Sequence, residues 1–346
     1  MPHRATCVSK DPIDYFLGRN KKNDEGRPYL RVSDVILRAN QDPKEVFAHI
    51  IRFATNSKWS HSALVYLLSD PTKGYNNTFL IEARTRGIRI NSLRNEVLPY
   101  EQFTEGIKRL RLDWYVEMPY EKTRHDPRDP EDTYGIDYLR HVRGIALDQI
   151  NGLFDLAVVD ELVALYVERV AKRYLKAIPQ VAEVADSLAT LFKQWAESEN
   201  SKADVVRFIC SGLVQYSFFA ALRIRIINGL ADPESREAAI SNLGNLHRIV
   251  FREDPEGVIS RYIHQIQAGE LKVDAPVPDD VLDLVKTATP ADFNNSPNLE
   301  WRYVIRKGWI WQIDEATADY KPQSDDEAAV LDLMASEHPG QKSEPA

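Results

Sequence analysis

Cysteine is nearly missing from this chain: there are two in 346 residues, Cys7 and Cys210, with most of the sequence between them. With no CxxC pair and no cluster of His and Cys, neither a disulfide framework nor a structural zinc site is expected. Both cysteines read as thiols in a reducing compartment. Long apolar runs are missing too. No segment approaches the roughly 18 uncharged residues a membrane span needs, and the N-terminal MPHRATCVSKDPIDYF has no apolar stretch of signal-peptide length. The expectation is a cytoplasmic protein, with export by a dedicated secretion system left open. Nor is there a surplus of basic charge: 44 Lys and Arg against 52 Asp and Glu give −8, which argues against nucleic acid as a partner.

What remains suits a folded enzyme-sized chain. Hydrophobic residues at 43% and charged residues at 28% supply a core and a solvated surface, so disorder and fibrous repeats are excluded. The length exceeds the roughly 250–300 residues at which a single core stops growing. A core with an insertion, or two units, is therefore expected.

YLRVSDVILRA, residues 29–39, alternates as a strand does, and DPKEVFAHIIRFAT after it has helical spacing, with Val46, Ile50 and Phe53 on one face. WSHSALVYLL, a GYNN turn and TFLIEAR read as a β-hairpin, and GIRINSL and GIKRLRLDWYV extend the β pattern to about residue 116. MPYEKTRHDPRDPEDT is a charged, proline-rich connection. From Tyr134 to Glu199 nearly every window has helical spacing, split at Pro179. Further on, Thr289, Pro290 and Asp292 form a helix-start signal, and WRYVI and WIWQI around RKG form a terminal hairpin. The acidic tail from Thr317 is expected to be mobile. The resulting division is 1–117 for the first part of a core, 118–200 for a helical insertion, 201–316 for the rest of the core and 317–346 for the tail.

The chemistry centres on Cys210. RFI before it is extended in character, whereas SGLVQYSFFAAL after it has helical spacing, so the thiol can sit at a helix N-terminus, where a thiolate is stabilised. Ser211 and Gly212 are small enough to let a substrate carbonyl approach the sulfur and the first-turn N–H groups. A helix starting near Ser201 would instead bury Cys210 as an inert hydrophobe. Of eight histidines only His61 lies in a strand-like run with small neighbours, sharing a face with Ala63 and Val65. Glu82 interrupts the apolar TFLIEAR on the next strand, where an unpaired carboxylate would be costly, and so is the candidate to orient His61. As an edge-strand surface charge it would do nothing.

SHSALVY, LIEARTRGIRI, ICSGLVQ and TPADFNNSPNL, in that order, resemble the motifs of the permuted NlpC/P60 (YiiX/YebB-like) cysteine hydrolases, a papain-like branch also similar to the lecithin:retinol acyltransferase family. RVSDVIL stands where the family often begins Gly-Asp, with Ser33 in place of the glycine, and Ile209 replaces the aspartate seen before the cysteine in many unpermuted members. The resemblance spans about residues 29–112 and 203–312. It implies an α+β, circularly permuted papain-like core: an antiparallel sheet packed on helices, with the helical block as an insertion. It also implies Cys210 as nucleophile, His61 as base and Glu82 as its orienting group. Acyl transfer through a Cys thioester would need no cofactor or metal. The substrate would be a small molecule, a peptide amide or an acyl lipid, and the insertion could join copies of the chain into a homo-oligomer. Two other readings are an inactive binding or scaffold module and a lipid acyltransferase or phospholipase.

Overall fold

The computed structural model describes residues 2–10, 15–16, 30–40, 48, 51–52, 55, 57–69, 77–84, 87–97, 103–112, 137–150, 153–154 and 207–335. The charged connection 118–133, most of the insertion (155–199), and Val46, Ile50 and Phe53 lie outside these residues. Among them the fold is mixed α and β. One eight-stranded sheet carries β1 (His3–Ser9), β2 (Val35–Asn40), β3 (His61–Leu67), β4 (Phe79–Arg84), β5 (Gly87–Ser92), β6 (Phe103–Leu110), β9 (Leu299–Arg306) and β10 (Trp309–Glu315) in the order β1-β10-β9-β6-β2-β3-β4-β5. Every pairing in it is antiparallel. Segments far apart in the chain therefore become neighbours, because β6 pairs with β9, nearly 190 residues further along.

Among the described residues the helices with assigned bounds are α1 (Leu93–Val97), α2 (Asp137–Asp148), α3 (Cys210–Ala231), α4 (Arg236–Leu243), α5 (Leu246–Ile249), α6 (Val258–Gln267), α7 (Asp279–Lys286), α8 (Pro290–Asn295) and α9 (Asp325–Met334). The 22-residue α3 is buried on most sides, which is why SGLVQYSFFAAL shows no clean polar face. Leu213, Val214, Phe218, Leu222 and Ile226 pack with Val35, Leu37, Leu64 and Ile81 of the sheet in one core. The opposite face of the same strands holds a second cluster, including Ile36, Ala63, Val65, Leu80, Ile107 and Tyr303. That partition is the period-two alternation of strands buried on both faces. No helix among the described residues is long and apolar enough to cross a membrane.

Several expectations hold in detail. WSHSALVY and TFLIEAR form the β3–β4 pair. In the β9–β10 hairpin Lys307 and Gly308 both have positive φ, 51° and 77°, the primed turn that suits strand twist. Thr289 caps α8 in a full capping box: its N–H donates to Asp292 Oδ2 at 2.7 Å and its hydroxyl accepts from Asp292 N at 3.4 Å.

Others need correction. The opening strand begins at Val35, not Tyr29, because Ser33 turns the chain with φ 66°. A glycine adopts that conformation without strain; here Ser33 Oγ donates to the Leu139 carbonyl at 2.9 Å. Within the block expected to be helical, Leu153–Phe154 form β7, paired in parallel with β8 (Arg207–Phe208). The tail is not structureless throughout: α9 is capped by Ser324, which accepts from Glu327 N at 3.1 Å. Asp325, Asp326 and Glu327 in its first turn complement the helix dipole, and Val330 and Met334 join the core. The Ser324–Glu327 spacing was the signal to read; acidic composition hid it. β1, which pairs with β10, was not anticipated either.

Gly212 has a packing role. A Cβ there would lie 1.9 Å from the Lys286 carbonyl oxygen at the end of α7, so α3 and α7 meet only because this residue has none. Gly212→Ala is expected to destabilise the protein by about 1–3 kcal/mol, checked by urea unfolding; an unchanged midpoint would show that α7 moves freely.

Candidate active site

α3 begins at Cys210, not near Ser201. The preceding Ile209 is extended at φ −78° and ψ 165° and offers no side-chain cap, so the first-turn N–H groups are left without intrahelical partners and point at the start of the helix. The sulfur therefore sits in a field that favours its anion. Cys210 is only 4% exposed. Ser211, also buried, places its Oγ 3.9 Å from Sγ. Neither Ser211 nor Gly212 opens a path for substrate: the first is buried against the sulfur and the second against α7.

His61 is the first residue of β3, and its ring is one-fifth exposed. Leu64 pairs with Ile81, so by continuation of that register Glu82 stands opposite Ala63 and diagonal to His61 on one face. The two side chains meet there, His61 Nε2 to Glu82 Oε2 at 2.6 Å. The His61 ring also lies close enough to the Cys210 sulfur for each to shift the other's titration. The backbone N–H of Ser62 also points to the sulfur. The three residues singled out from the sequence thus converge, from β3, β4 and the start of α3.

Glu82 is 1% exposed and held from its other oxygen as well. Arg84 Nε donates to Oε1 at 2.8 Å, and Asn91 Nδ2 donates to the same atom. Arg84 and Asn91 were not singled out from the sequence. Their signal was the strand period: Arg84 is two residues from Glu82, and Asn91 is two residues from Arg89, which pairs with Glu82. Ser62 was also missed. Its hydroxyl is buried and has no hydrogen-bond partner among the described residues.

The electrostatics follow from this geometry. Burial disfavours a charged His61, but the neighbouring Cys210 sulfur and the Glu82 carboxylate outweigh it and raise the imidazole to about 9. Burial likewise opposes a charged Cys210, yet His61 and the donors around the sulfur pull its thiol below the ordinary value. Glu82 lies far below the usual carboxylate range: burial opposes its charge, and His61 and Arg84 overcome that opposition. Each group thus favours the charged form of the other, which biases the pair toward thiolate and imidazolium.

Glu82→Gln keeps the shape and removes the charge, and its effect on stability depends on pH. The depressed Glu82 stabilises the fold above its unfolded value of 4.5 and loses that contribution as pH falls. The raised His61 stabilises it fully below 6.5 and loses that contribution as pH climbs through about 9. The gap in unfolding free energy between wild type and Glu82→Gln is therefore expected to be widest between these limits and to narrow on either side. Urea titrations from pH 4 to 10 measure it; a gap independent of pH would remove the ion pair as its source.

Among the described residues no group of three or more His, Cys, Asp or Glu side chains could hold a metal. No family model matches the chain, and no curated protein does.

Proposed function

We propose that the chain is a cysteine acyl-hydrolase or acyltransferase that works through a Cys210 thioester, with the permuted NlpC/P60 arrangement as its template. One observation carries the reading: Glu82 is hydrogen-bonded to His61, whose ring lies beside the Cys210 sulfur at the N-terminus of a buried helix. The order of histidine before cysteine in the chain, the antiparallel sheet against α3 and the capping box at Thr289 agree with that template.

The thiolate of Cys210 attacks the carbonyl carbon of an amide or ester, forming a C–S bond and placing charge on the carbonyl oxygen. First-turn N–H groups of α3, that of Cys210 among them, are placed to receive this oxyanion. His61, protonated in the resting pair, gives its proton to the departing amine or alkoxide as the C–N or C–O bond breaks. The neutral ring then takes a proton from water or an acceptor, whose oxygen or nitrogen displaces sulfur and regenerates the thiolate. Glu82 keeps the ring in place and stabilises its cation throughout.

Intact-mass analysis after incubation with p-nitrophenyl esters of short and long acyl chains tests this reading. An acyl adduct on Cys210 that is absent in Cys210→Ser supports covalent acyl transfer, and the preferred chain length separates a lipid from a peptide-like acyl donor. One observation favours the scaffold reading, the 4% exposure of Cys210; absence of any adduct with every ester would adopt it.

A further inference from the structure

The geometry points to Ser62 as a further catalytic residue, whose hydroxyl donates to the oxyanion formed on the acyl carbon; the inference rests on the thioester reading of Cys210. Ser62 follows His61 in β3, and its backbone N–H points to the Cys210 sulfur. Strand alternation puts its side chain on the face opposite the imidazole. That is the face α3 covers: Ser62 pairs with Leu37, which shares a core with Leu64 and with Leu213 and Val214 of the helix. The imidazole and the hydroxyl thus belong to the two faces of one strand at the start of α3.

Ser62 is fully buried, and its Oγ has no hydrogen-bond partner among the described residues. A hydroxyl in that state costs stability, and an alanine of nearly the same shape would remove the cost. The free protein therefore gives no reason for it. The helix beside it presents donors of the same kind. Leu213 is the first α3 residue whose N–H reaches a helical carbonyl, that of Ile209 at 3.0 Å, and Ile209 supplies no side-chain cap. The N–H groups of Cys210, Ser211 and Gly212 have no intrahelical partner, and with the Ser62 O–H they make a set of donors that calls for an acceptor.

That acceptor arises during acyl transfer. As Cys210 Sγ forms its bond to the carbonyl carbon, the π pair of the C=O bond moves onto oxygen. The Ser62 O–H and the first-turn N–H groups donate hydrogen bonds to that oxygen, and no proton changes place. The pair returns to the C=O bond as the leaving group departs with the electrons of its C–O or C–N bond. Because Ser62 is already shielded from water, its donor is not spent on solvent before the charge forms, and its bond is gained in the transition state and not in the resting enzyme.

Two electrophiles separate this role from a structural one. Ester acylation forms an oxyanion, whereas iodoacetamide, which the sulfur attacks at a saturated carbon with loss of iodide, forms none. In Ser62→Ala, acylation of Cys210 by p-nitrophenyl esters of short and long acyl chains, followed by p-nitrophenolate release and adduct mass, is expected to slow about 10²-fold at saturating ester. Alkylation of Cys210 should keep its rate and pH profile, and the urea midpoint should stay level or rise. Ser62→Thr, which keeps the hydroxyl, should acylate faster than Ser62→Ala. Equal acylation in wild type and Ser62→Ala, an equal fall in acylation and alkylation, no difference between the alanine and threonine variants, or a lowered urea midpoint in Ser62→Ala overturns the assignment and leaves the Cys210 thioester reading in place. No acyl adduct in the wild type with any of these esters, with alkylation intact, removes the thioester reading and the oxyanion donor with it.

Discussion

At pH 6, His61→Ala is expected to slow iodoacetamide alkylation of Cys210 by at least about tenfold, because only the thiolate reacts and an unassisted cysteine is mostly protonated below about 8.5. In the wild type His61 and the donors around the sulfur lower the thiol, so labelling should persist below that value. With His61 gone, burial is left as the main influence, and it acts to protonate the thiol. Turnover of any accepted ester should fall further, by about 10³-fold or more, since in the proposed mechanism His61 also supplies the proton to the leaving group. Cys7 is an internal control: it is free, and partial burial shifts its thiol upward, so it should label only at alkaline pH. Peptide mapping of the alkylated protein gives both rates in one experiment. Parallel pH profiles for the two cysteines, unchanged by His61→Ala, would end the proposed mechanism.

The second large effect concerns stability. Asp34→Ala is expected to destabilise the fold by about 3–5 kcal/mol, because it strands the buried Arg109 guanidinium that Asp34 holds with two bonds. The melting temperature should drop by roughly 4–7 °C. Replacing both members, as Asp34→Leu with Arg109→Met, should cost far less than either single change, since no uncompensated charge then remains. Urea unfolding of the three variants distinguishes the mechanisms. Equal losses in the single and double variants would mean that packing around β2 and β6, and not the charge pair, is responsible.

The scaffold around these groups explains several residues that carry no chemistry. Position 106 is a glycine because the Trp59 and Trp301 rings, 5.6 Å apart, occupy the space a Cβ would enter. Trp59 donates to Asn294 Oδ1 at 3.1 Å, tying the approach to His61 to the end of α8. Lys108 closes that end: Nζ donates to the carbonyls of Phe293, Asn294 and Ser296 and lies 5.1 Å from the Trp301 ring centre. Burial pulls its ammonium down to about 7, while the carbonyls and the indole face favour the charged form. The TPADFNNSPNL segment is therefore a brace under the histidine strand.

Local chemistry made much of this legible in the sequence. The β3–β4 pair, the turn at Lys307–Gly308, the Thr289 cap and the extended-to-helical change at Cys210 each depend on residues within a few positions of one another. The same locality allowed His61, Glu82 and Cys210 to be chosen. It misled where composition masked pattern, as in the acidic α9, and where a residue's reason lay elsewhere: Gly212 reads as room for substrate until α7 is seen against it.

What the sequence by itself determined is the set of reactive groups and the elements that bear them. What only the tertiary structure decided is which groups share an electric field. The pairing of β6 with β9, the diagonal from His61 to Glu82 and the approach of the β3 start to the α3 N-terminus are all long-range contacts. Charge interactions fall off with separation in space and not along the chain, so the shifts that make a thiol into a nucleophile come into being only when the chain is folded.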